Sequence, residues 1–187
     1  MNILVTDKEY EKLIKRLEFF DTMRNNLLTF SFTAVLAILG VALAMDMDSI
    51  SAWLCLIPFC LIVPFSARIA YYRLASAHIN SFLRQFSAEE MQFEIGTSVV
   101  TENCCKFYHQ IAWLINHEMV LLGVATSCIF YLKYISVLKT WSYYNYVGLI
   151  VPVILTAIVY LISDSTYSYK KLMEHFEREW IAYSESK

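Results

Sequence analysis

This chain of 187 residues contains only four glycines and three prolines, and charge is sparse in it too. No glycine-rich phosphate loop, no GxSxG and no HExxH occurs, and His117 followed by Glu118 lacks the second histidine of a zinc motif. The cysteines are Cys55, Cys60, Cys104, Cys105 and Cys128; they form no CxxC pair and stand near no histidines at zinc-ligand spacing. No metal, disulfide or cofactor is therefore expected. Charged residues make up 17% of the chain, against about 25% in an ordinary soluble domain. No internal repeat is visible, which weighs against a small transporter built from inverted halves. The missing motifs leave little room for an enzyme.

Apolar runs take the place of what is missing. Hydrophobic residues reach 58%, where a soluble domain has roughly 45 to 50%. Between Arg24 and Asp46 lie 21 uncharged residues, between Asp48 and Arg68 another 19, and between Lys139 and Asp164 another 24. At about 1.5 Å per residue each run can cross a hydrocarbon core of roughly 30 Å. The remaining span, third in chain order, runs either from Ile111 to about Tyr131 or from after Glu118 to about Leu138, the second version with Lys133 snorkelling to the surface. The fold expected is an all-α integral membrane protein. It has four transmembrane helices, amphipathic cytoplasmic helices at both ends, and a helical cytoplasmic segment between the second and third spans.

Orientation follows from the basic residues. Of 15 lysines and arginines, only Lys133 and Lys139 fall on one side of the spans and 13 fall on the other, which places both termini and the long middle segment in the cytoplasm. The chain then divides into a cytoplasmic helix over 1–24, spans over 25–67, a cytoplasmic segment over 68–110, spans over 111–163 and a cytoplasmic helix over 164–187. Trp53, Trp141, Tyr143, Tyr144 and Tyr146 suit an outer aromatic belt. The chain opens on a charged stretch with no apolar run before the first span, so no cleaved signal peptide is expected.

Local signals refine this layout. Thr6 and Glu9 have capping-box spacing, and Tyr10, Leu13, Ile14, Leu17 and Phe20 follow as a helical stripe. Glu11 and Lys15 can pair one turn apart. No Pro or Gly interrupts the run from Asp7 to Gly40, so the cytoplasmic helix is expected to continue into the first span, in preference to a segment lying on the inner leaflet. Pro58 and Pro64 each remove a backbone donor and predict a bend in the second span. SAEEMQFEIG reads as a short helix closed by Gly96, TSVVTEN as a loop, and a new helix begins near Thr101 or Glu102. After the fourth span, Leu172, His175, Phe176 and Glu179 to Ile181 form the apolar side of a last helix. Cys55, Cys60 and Cys128 read as small packing residues.

Polar residues inside the spans are the candidates for function. At 3.6 residues per turn, Asn26, Thr29, Thr33, Ala37, Gly40 and Ala44 share a narrow sector of the first span. That sector is either a pore lining or a close helix contact, and both readings keep it away from lipid. A similar stripe on the third span carries His109, Asn116, Gly123, Ser127 and Tyr134. Glu118 lies about 200° from Asn116 around the helix and so falls off that stripe. Amid Ile111, Leu114, Leu122, Ala125 and Ile129 it is an ion-pair candidate, with Arg24, Arg68 and Arg73 as partners, a headgroup-level residue, or a gating or ion-coordinating residue. Arg24, Arg68, Arg73, Lys106, Lys170 and Lys171, interleaved with Tyr71, Tyr72, Tyr167 and Tyr169, collect at the inner interface. They could hold a nucleotide by charge and stacking or simply hold lipid phosphates. The cytoplasmic pieces carry about as many acids as bases, so no broad nucleic-acid surface is implied.

The charged helix feeding the first span, EYEKLIKRLEFFDTMRNNLLTFSFTAVLAILGVALA, its short outer turn, and the exit FSARIAYYRLASAHIN after the second span resemble small bacterial membrane effectors of anti-phage defence. These include two-helix effectors of nucleotide-signalling systems and the four-helix membrane partner of the Hailong system. The resemblance covers roughly half of the chain and rests on layout. It implies a homo-oligomer, with a tetramer favoured, that forms a channel gated by a short DNA or cyclic nucleotide from a partner nucleotidyltransferase, depolarising the membrane and arresting growth when open. It makes Asn26, Thr29, Thr33, Gly40, Asn116, Gly123 and Ser127 the pore candidates and the basic residues the ligand candidates. A membrane scaffold or anchor for a cytoplasmic partner, and a small transporter, are the other readings.

Overall fold

A computed structural model describes residues 6–45, 49–86, 107–137, 143–166 and 169–185, and among these every regular element is a helix. In chain order they are α1 (Asp7–Ala44), α2 (Ser49–Leu54), α3 (Phe59–Phe86), α4 (Tyr108–Asn116), α5 (Glu118–Val137), α6 (Tyr143–Asp164) and α7 (Tyr169–Glu185). Four helical stretches are long and apolar enough to cross a membrane: Asp7–Ala44, Ile50–Phe86, Glu118–Val137 and Tyr146–Asp164. The chain is thus compatible with a multi-pass membrane protein. The short helix and loop expected over 87–103, and Cys104, Cys105, Lys106 and Trp141, lie outside the described residues.

α1 is one unbroken helix of 38 residues. At about 1.5 Å per residue it is roughly 57 Å long, nearly twice a hydrocarbon core of about 30 Å. The carbonyl of Thr6 accepts the amides of Glu9 and Tyr10 at 2.8 and 2.9 Å, which starts the helix where the capping signal placed it. Glu11 and Lys15 stand 3.8 Å apart on its exposed side. No helix breaker intervenes before Ala44, and the weak propensity of Asn25 and Asn26 is overridden by the good helix formers around them.

The second span does not merely bend; it is divided. Pro58 has no N–H to offer the carbonyl of Leu54, and Ile57 takes that carbonyl instead at 3.1 Å. Cys55, Leu56, Phe59, Cys60 and Leu61 also donate three residues back, so a tightened turn separates α2 from α3 while few main-chain groups go unused. Pro64 is carried inside α3. The third candidate span begins at Glu118, the later of the two starts, because α4 stops at Asn116 and His117 forms a turn. His109 and Asn116 therefore do not share a continuous helix with Gly123, Ser127 and Tyr134.

Contacts divide the chain into two compact units. The first comprises Met1–Arg24, Ala70–Asn116 and Thr166–Lys187. Phe20 stacks on Tyr72 with ring centroids 5.7 Å apart. α7 packs on α3 through aromatic rings: His78 meets Phe176 edge-on at 5.0 Å, and Phe82 meets Trp180 at 4.9 Å. Arg84 reaches Glu177 at 3.8 Å beside them. The packed side of α7 is Met173, Phe176, Glu177 and Trp180; His175, Glu179 and Ile181, assigned to it from the sequence, are exposed. The real stripe follows three- and four-residue steps from Met173, which the consecutive block 179–181 does not.

The second unit comprises Asn25–Ile69 and His117–Ser165. Its core is built from Val35, Leu39 and Ala42 of α1, Ala52 of α2, Phe59 and Ile62 of α3, Met119, Leu122, Phe130 and Tyr134 of α5, and Val159 of α6. Trp53 sets its edge against Phe130 and Tyr134 at 5.6 and 5.9 Å. α5 and α6 approach closely at Gly148, where any Cβ would land on the ring of Tyr134. Large apolar side chains such as Leu36, Val41, Leu132, Val153 and Leu161 remain exposed on this unit, which is compatible with helices that cross a membrane. Cys55 is buried as a packing residue, whereas Cys60 and Cys128 are exposed.

Candidate functional site

The two stripes read from the sequence end up in different surroundings. On α1, Ser31, Val35, Leu39 and Ala42 face the core, and Asn26, Thr29, Thr33, Ala37, Gly40 and Ala44 point away from it. Ser31 and Thr33 are about 200° apart at 100° per residue, so burying one exposes the other. Among the described residues, nothing beyond the neighbouring backbone of α1 itself comes within 4 Å of a Cβ built at Gly40. The exposed hydroxyl of Thr33 donates back to the carbonyl of Thr29 at 2.9 Å.

The α5 stripe faces inward. Gly123 is buried, and a Cβ there would meet the ring of Phe59 at 3.4 Å and the Thr156 hydroxyl at 3.9 Å. Ser127 shares a hydrogen bond of 2.9 Å with Thr156 and lies 3.5 Å from the carbonyl of Pro152. Tyr131 donates to the carbonyl of Leu149 at 2.6 Å. These groups join α5 to α6, and the small residue at 123 and the hydroxyls are what such a membrane contact uses. Asn116, at the end of α4, turns its amide back to the carbonyl of Ala112 at 2.7 Å.

The basic candidates differ as much. Arg73 is only 8% exposed and donates to the carbonyls of Asn116 and Ile115 at 2.9 and 3.3 Å, the last residues of α4. A cation suits the negative end of a helix and satisfies carbonyls that have no amide partner. Arg24 lies 3.5 Å from Asp21 on its own helix. Arg68 and Lys171 are exposed; Lys170 belongs to α7, and Lys106 lies outside the described residues. Glu118 opens α5, where a carboxylate favours the positive end of the helix.

Two groups take on a weight that the sequence did not give them. Lys133 does not snorkel: it is 3% exposed, and its ammonium binds the carbonyl of Ala42, the carbonyl of Met45 at 3.1 Å and the hydroxyl of Ser51 at 3.4 Å. It caps the C-terminal end of α1, a job for which three rotatable donors are well suited. His117 is the buried neighbour of Glu118. Its ring stacks on Tyr160 at 5.7 Å, and its Nε2 lies 4.0 Å from the carboxylate of Asp164. Buried polar groups at helix ends are the signal that could have found both, but partners 91 and 47 residues away in the chain are invisible to helical projection.

No family model, curated protein or solved structure matches this chain. Among the described residues no group of three or more histidine, cysteine or acidic side chains could hold a metal ion.

Proposed function

We propose that this chain is an oligomeric membrane ion channel or pore-forming effector of bacterial anti-phage defence. A nucleotide or short oligonucleotide made by a partner nucleotidyltransferase gates it, and its opening depolarises the inner membrane and arrests growth. The observation that carries the reading is the outward stripe of α1. Asn26, Thr29 and Thr33 form a polar face, continued by Ala37 and Gly40, on a membrane helix whose opposite side is already buried. Polar side chains facing hydrocarbon are costly, and small ones let helices approach, so the favourable place for this face is a shared axis between copies. Arg68 and Lys171, each exposed on its own unit, are separate candidate contacts for an anionic ligand.

The reading is tested with purified full-length protein in liposomes. Ion flux that depends on a short oligonucleotide or cyclic nucleotide, and that is altered by Thr33→Leu, supports it. Absence of flux across a panel of such ligands, with a cytoplasmic protein co-purifying, would establish the scaffold reading in its place.

A further inference from the structure

A groove of about 530 Å³ runs between α5 and α6, open along one side. Its size falls within the range of about 300 to 1,000 Å³ typical of small-molecule sites, yet its polar groups are already occupied. Ser127 and Thr156 bond each other across its floor, and the hydroxyl of Tyr131 at one end is held by Leu149. An ion or a nucleotide would find little to bind there.

We propose that this groove holds one acyl chain of a phospholipid from the leaflet at the His117 end of α5. Both walls belong to helices long and apolar enough to cross a membrane, so in a bilayer the open side meets hydrocarbon. The groove extends along α5 from Val120 to Tyr131, about 16 Å at about 1.5 Å per residue, close to half of a hydrocarbon core of roughly 30 Å. That length suits one chain from one leaflet. The Val120 end lies beside Tyr160, which stacks on His117 next to the carboxylate of Asp164, so polar groups stand where a headgroup would be. A helix from a second copy would need to approach to about 8 to 10 Å between axes over small residues, and Tyr131 and Tyr160 occupy the rims instead. This proposal rests on the membrane-spanning helices and is independent of channel activity.

The test uses the full chain in phospholipid nanodiscs doped with a lipid carrying a diazirine on its acyl chain. After irradiation, mass spectrometry should find the Val120–Tyr131 and Val153–Tyr160 segments labelled several-fold above the lipid-facing Leu36 and Val41 of α1. Ala157→Phe, or Val153→Phe should the first variant fail to insert, fills the groove and should remove the excess while leaving α1 labelling intact. Equal labelling of groove and α1, or an excess unchanged by both variants, overturns the proposal. So does oxidative cross-linking of Cys128 to Cys128 between copies with no lipid label in the groove, which would make the occupant a second chain.

Discussion

The outward stripe of α1 and the inward stripe of α5 have similar composition and opposite settings. Thr29, Thr33 and Gly40 face away from their own chain; Gly123 and Ser127 close on Phe59 and Thr156 inside it. A helical projection shows that polar and small residues share a face, because that depends only on 100° per residue. Whether the face meets another helix of the same chain or of another copy depends on connectivity and packing. Side chains that complete contacts within the chain should control stability, and those left facing out should control assembly.

The sharpest probe of the inward class is Lys133→Leu, which leaves the carbonyls of Ala42 and Met45 without their ammonium. Hydrogen bonds to a charged group contribute about 1.5 to 3 kcal/mol, and a loss of that size should appear as a lowered unfolding midpoint in detergent. Gly148→Leu, which drives a side chain into Tyr134, should cost about 1 to 3 kcal/mol by overpacking, read by the same unfolding curve. For Ser127 and Thr156, a double-mutant cycle with alanine should give a coupling near 0.6 kcal/mol, the average for hydrogen bonds between membrane helices. Thr33→Leu and Gly40→Leu should shift subunit stability by under about 0.5 kcal/mol, as exposed substitutions do, while changing the oligomer distribution seen by cross-linking in membranes. Should the outer substitutions destabilise the subunit as much as Gly148→Leu, the contrast between the stripes would fail.

Much of the fold was legible because hydrocarbon imposes a one-dimensional rule: uncharged runs of sufficient length become spans. The unbroken α1 followed from the lack of Pro or Gly between Asp7 and Gly40, whereas Pro58 and Pro64 announced a bend in the second span and Pro58 instead divides it. The site was less legible. Lys133 could be read as snorkelling because a lysine near a helix end has two ways to satisfy its ammonium, headgroup water or orphan carbonyls, and only three-dimensional packing brings Ala42 and Met45 within reach. Arg73 makes the same choice at the end of α4. The stop at Asn116 was equally hidden, since no Pro or Gly marks it.

The cap on α1 also has a history in time. Ala42 and Lys133 are 91 residues apart, and a ribosome adding about 5 to 20 residues per second needs roughly 5 to 20 s to make that distance. Throughout this interval the far end of the first span has its carbonyls ready but not its cation. The Ala44 end of α1 is therefore completed only once the helix carrying Lys133 has been made, and a chain truncated before Lys133 should enter the membrane with that end still hydrated and open to exchange.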